Sequence, residues 1–100
     1  MASGFPDWQI RAFTSSENSE QLKISATDTE ATTSFSQEVK SILVYNDGNN
    51  PVHLNFGATA TTDSMKLVSK AWFSADLKLT DLHTICATGE TATLFVIGLY

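Results

Sequence analysis

One hundred residues, 42% of them hydrophobic and 17% charged, make a chain apolar enough to fold around one core and too short for two. Six Lys and Arg against eleven Asp and Glu leave a net charge of −5, and the cations Arg11, Lys23, Lys40, Lys66, Lys70 and Lys78 are scattered. Neither a nucleic-acid backbone nor an anionic membrane finds the clustered positive charge it requires, so neither is expected as a partner. The single cysteine, Cys86, forbids an intrachain disulfide and with it the stapled secreted scaffolds. Met1 to Phe13 lacks the basic start, apolar run and cleavage site of a secretion signal, which predicts synthesis for the cytosol. No run approaches the roughly 18 apolar residues of a membrane-crossing helix.

The chain divides into an arm or cap over residues 1–14 and a single domain over 15–100. Phe5-Pro6-Asp7-Trp8-Gln9-Ile10-Arg11-Ala12-Phe13 places three aromatic rings in a stretch where polar residues are the rule. Two readings stand: a cap on the domain's own core, or an arm that packs on a neighbouring subunit with Phe5, Trp8 and Phe13 as interface anchors. From Thr14 to Glu38, Ser and Thr supply eleven of twenty-five residues. Leu22, Ile24 and Ala26 alternate there with Lys23, Ser25 and Thr27, as in a half-buried edge strand, and Ala31 to Gln37 is a second candidate.

Val39 to Tyr45 is rich in branched and aromatic side chains and ends at Asn46-Asp47-Gly48-Asn49-Asn50-Pro51, a turn. In Val52 to Gly57, Val52, Leu54 and Phe56 share one face, and His53 and Asn55 the other. Val39 to Gly57 therefore reads as an antiparallel hairpin, with Gly48 at positive φ. Ala58 to Ser64 is a loop. Lys66 to Leu79 holds one or two strands, Leu82 to Ala87 another, and Thr88-Gly89-Glu90 turns the chain into a last strand, Thr91 to Tyr100. Seven of its ten residues are apolar, on both faces, which suits a central strand or one covered by a partner chain. Seven or eight short strands without an amphipathic helix predict an all-β fold, an antiparallel β-sandwich or small jelly roll.

The residues that carry chemistry are few. His53, His83 and Cys86 form no metal-ligand pair, and Asp47-Gly48-Asn49-Asn50 has the outline of a calcium loop without its spaced acids or closing Glu. No serine sits in Gly-x-Ser-x-Gly, and the glycines, at 4, 48, 57, 89 and 98, are too isolated to cradle a phosphate. The expectation is a non-enzymatic protein without cofactor or metal. Trp72, Trp8 and Tyr45 admit a second reading as a sugar-stacking platform, set against packing in a core or an interface.

Two stretches have a recognisable cadence: Ile42-Leu43-Val44-Tyr45-Asn46-Asp47-Gly48-Asn49-Asn50-Pro51-Val52-His53-Leu54-Asn55-Phe56-Gly57, and Ile85-Cys86-Ala87-Thr88-Gly89-Glu90-Thr91-Ala92-Thr93-Leu94-Phe95-Val96-Ile97-Gly98. Together they make residues 39–100 resemble small structural proteins of tailed bacteriophages, in which the first stretch is one hairpin and the second the terminal hairpin. The resemblance implies a virion subunit assembled in the host cytoplasm, most simply a head decoration, cement or minor capsid protein, with a neck or tail component as the alternative. Its partners would be its own copies, in a homo-oligomer such as a trimer, and the major capsid protein or tail and neck proteins. Trp72 joins Phe5, Trp8 and Phe13 as a candidate interface anchor. From a different class, a carbohydrate-binding or receptor-reading module would need Trp72 and Tyr45 exposed.

Overall fold

The computed structural model describes residues 18–100, which form eight strands: β1 (Ser19–Ala26), β2 (Ala31–Val39), β3 (Ser41–Asn46), β4 (Val52–Phe56), β5 (Met65–Leu67), β6 (Trp72–Ala75), β7 (Leu79–Ile85) and β8 (Ala92–Leu99). Phe5, Trp8 and Phe13, and with them the arm or cap, lie outside the described residues. Alternation assigns the faces. Ile24 and Ala26 of β1, Ile42 and Val44 of β3, and Leu94 and Val96 of β8 point to the inside, where they meet Phe35, Val52, Leu54, Leu82 and Cys86 in one buried cluster.

The strands lie in two antiparallel sheets, ordered β1-β8-β3-β6 and β2-β7-β4-β5. The chain changes sheet at every connection except β4 to β5, and this interleaved order is that of an eight-stranded jelly roll. The expected all-β sandwich is thus present, with its half-buried edge strand at β1 and its apolar last strand, β8, held centrally between β1 and β3.

Both expected hairpins are absent. β3 pairs with β8 and β6, whereas β4 pairs with β5 and β7, so the turn after β3 carries the chain across to the other sheet. β7 and β8 likewise stand in different sheets. The crossing after β3 is organised by Asn46, a fully buried carboxamide. Its Nδ2 donates to the carbonyls of Asn50 (2.9 Å) and Leu67 (3.0 Å), and its Oδ1 accepts the Gly48 N–H (2.9 Å). A satisfied buried amide can fix a loop in this way because leaving it unpaired is costly. Gly48 also departs from expectation: the positive-φ glycines described are Gly57 and Gly89. Glycine is required at 48 by crowding, since a β-carbon there would stand 2.7 Å from Cβ of Ala92.

β2 carries an irregularity between Ser34 and Val39, where its pairing with β7 shifts register. The backbone freed there is recaptured from the opposite sheet: the Glu20 carboxylate accepts the Ser36 N–H (2.9 Å) and the Ser36 hydroxyl (2.8 Å). The same stretch turns Phe35 inward to a residual exposure of 3%.

Candidate interaction surface

The outward residues of the first sheet fall into rows set by strand register. One row runs straight across all four strands, Lys23 on β1, Phe95 on β8, Tyr45 on β3 and Trp72 on β6. Phe95 and Trp72 are exposed, at 44% and 48%. The Lys23 ammonium lies 5.9 Å from the Phe95 ring centre, and the Tyr45 and Trp72 rings stand 4.4 Å apart at 35°. The neighbouring row is Gln21, Ile97, Leu43 and Ser74. Leu43 and Leu99, both outward, are buried although neither belongs to the cluster between the sheets. Together these side chains make an apolar and aromatic face.

The outer face of the second sheet has the opposite character. Thr32, His83 and Asn55 form a row across β2, β7 and β4, and the Ser34 hydroxyl donates to Asp81 (2.7 Å). His53 stands on the same face, with its Nδ1 3.0 Å from the Ser64 carbonyl. His83 meets Glu30 at 2.9 Å. The Glu30 carboxyl is held below its ordinary value, first by the Ala60 N–H that donates to it and then by His83.

The three strongest metal-ligand types are therefore kept apart. His53 and His83 occupy separate hydrogen bonds on an outer face, and Cys86 lies in the core, its thiol pushed up chiefly by burial and further by the negative charges of Glu90 and Asp28. Among the described residues no three His, Cys, Asp or Glu side chains come together as a metal-holding group. An open cleft of about 400 Å³ at one end of the sandwich is lined by Ser25, Ala26, Thr27, Gly48, Asn49, Asn50, Thr91, Ala92 and Thr93, none of which titrates near neutral pH.

Of the residues singled out in the sequence, Trp72 falls on the aromatic face with Tyr45. Phe95 and Lys23 complete the row and were not singled out. The last strand is apolar on both faces, so its sequence alone does not say that Phe95 points outward.

No family model matches the chain, and no curated protein does. Among solved structures it is similar to apo-HppE (14% identity, 80% of this chain and 41% of that one, TM-score 0.54). It is similar also to HppE with FeII and a substrate (14% identity, 80% and 45%, TM-score 0.57). A de novo designed double-stranded β-helix matches at 12% identity over 83% of this chain and 99% of that one, with a TM-score of 0.47. The chain spans less than half the length of the HppE chains it matches, and at this identity the likeness shows the fold alone.

Proposed function

We propose that this chain is a non-enzymatic structural subunit of a bacteriophage particle, a capsid decoration, cement or minor capsid protein that binds its own copies and the head shell, with the neck or tail as the alternative location. The observation that carries the assembly reading is the two-faced sandwich: an aromatic row, Phe95, Tyr45 and Trp72, crosses one outer face, while the other is polar. Exposed aromatic rings on a rigid sheet are the side chains that dominate binding energy when a partner excludes water from them, each worth roughly 2 kcal/mol or more at an interface centre. Jelly rolls serve as viral capsid domains and also as lectins and enzymes, so the weight rests on the surface and on the sequence resemblance. A cleft without titratable side chains supports a role in binding over acid–base catalysis.

In this reading the subunit works by association: each copy contributes a modest interface, and repetition over a shell converts it into tight attachment. Sedimentation velocity on the wild-type protein and on Phe95→Ser tests it, with circular dichroism to confirm folding. The wild type is expected to sediment as an oligomer and the variant as a lighter species; equal sedimentation of the two, or a wild-type monomer, overturns the assignment of this face to self-association.

The tilted Tyr45–Trp72 ring pair also favours a second reading, a carbohydrate-binding or receptor-reading module. Saturable binding on a glycan array, abolished by Trp72→Ala, would establish that function instead.

A further inference from the structure

The loop between β4 and β5 is held against the second sheet at two points, each of which ends on a histidine. Ala60 within it is buried, and its N–H donates to Glu30 Oε2 at 3.1 Å. The same carboxylate oxygen lies 2.9 Å from His83 Nδ1. A carboxylate only accepts, so Nδ1 carries the hydrogen of this contact, with the Thr32 hydroxyl oxygen 3.1 Å away as a second neighbour. Near the end of the loop the Ser64 carbonyl, also an acceptor, lies 3.0 Å from His53 Nδ1. The loop is further tied by Asn55 Nδ2, which donates to the Thr59 carbonyl at 3.1 Å.

We propose that Glu30, His83 and the Ala60 N–H form a proton-sensitive latch on this loop, tightened when His83 gains a proton and loosened when Glu30 does. The Glu30 and His83 side chains are 27% and 14% exposed, open enough to exchange protons with solvent and covered enough for their charges to be felt. Protonating His83 at Nε2 leaves Nδ1–H in place and turns a hydrogen bond between a neutral ring and an anion into an ion pair, which fixes the carboxylate that Ala60 needs. Protonating Glu30 removes the negative charge from both bonds at once. The other charged or titratable groups on the strands of this sheet and the connections beside them are Asp28 before β2, Glu38 on β2, Lys78 before β7, Asp81 on β7, His53 on β4, Lys66 on β5, and Asp63 in the loop itself; Asp28 accepts the Gly89 N–H. Asp81 is taken up by the Ser34 hydroxyl and His53 by Ser64, which leaves Glu30 as the anion in direct contact with His83. The proposal stands apart from the assembly reading, because it concerns the polar face.

The test follows the Ala60 amide by ¹H–¹⁵N NMR from about pH 8 to about pH 3, a range that covers histidine and carboxylate titration, in the wild type and in His83→Gln and Glu30→Gln. Both glutamines keep a hydrogen-bonding group in place and remove the titration. The wild-type resonance is expected to move in two steps, one together with the His83 ring signals and one in acid, below the ordinary value of a glutamate carboxyl. Exchange of the Ala60 hydrogen, corrected for its intrinsic rate, should slow several-fold as His83 becomes protonated. His83→Gln should abolish the upper step and the slowing, and Glu30→Gln should abolish both steps. A wild-type Ala60 signal that stays still while His83 titrates, or steps that survive in Glu30→Gln, would overturn the latch.

Discussion

Gly48 and Ala92 are 44 residues apart in the chain and in contact in the fold: a β-carbon at 48 would lie 2.7 Å from the Ala92 side chain and 2.8 Å from its Cα. The loop after β3 thus presses on the first residue of β8. Two hydrogen bonds reinforce the approach, Asp47 N–H to the Thr93 carbonyl (2.9 Å) and Asn50 Nδ2 to the Thr91 carbonyl (3.0 Å). This contact holds a cross-sheet connection where a hairpin was expected. Gly48→Ala should therefore destabilise the protein by about 1–3 kcal/mol, the ordinary cost of overpacking against a neighbour that cannot yield. Chemical denaturation measures it, and a midpoint equal to the wild type's would mean that the loop can lift away from β8.

Thr84 faces the interior of the second sheet at 1% exposure, and among the described residues its hydroxyl finds no hydrogen-bond partner. Thr84→Val keeps the shape and removes the orphaned group. It should stabilise the fold by about 1 kcal/mol, raising Tm by roughly 4–8 °C for a domain of this size. Calorimetry decides; a lower Tm would show that the hydroxyl is paired in solution.

The lowered Glu30 carboxyl makes a signed prediction about acid stability. A carboxyl that is more acidic folded than unfolded contributes stability that is present above its unfolded pKa and is lost as pH falls through its folded value. Glu30→Gln should accordingly be less stable than wild type near neutral pH, with the two curves converging in acid. Urea midpoints measured across pH check this, and a constant gap down to the lowest pH would contradict it.

Cys86 is 1% exposed, and burial with two nearby acids raises its thiol. Its reaction with a disulfide reagent at neutral pH should be slow and should speed up with denaturant in step with unfolding. Rapid labelling of the native protein would place the thiol at the surface.

How far the sequence reaches depends on the range of the interaction. Strands such as Val52–Phe56 are legible because one residue in two must face the core, and Trp72 is legible as an aromatic opposite Phe73 in an alternating run. Pairing is not legible, because alternation fixes the two faces of β4 without saying which neighbours complete its ladder, and the unbroken apolar run 42–45 of β3 does not assign even its faces. Ile42 lies beside Gly98, a residue whose lack of a side chain admits Phe35 and Val39 from the other sheet, and that choice is made by packing over long separations. The row Lys23, Phe95, Tyr45 and Trp72 exists only once the pairing is known. Glu30, His83 and Ala60 are likewise brought together from 53 and 30 residues apart, with no local signal.

The most direct test of the assembly account is the mass of the full chain in solution, by size exclusion with light scattering over a tenfold range of concentration. The account predicts one defined oligomer, a trimer or larger ring, that persists on dilution. A mass of 10.9 kDa, that of one chain, at every concentration would contradict self-association through the aromatic face.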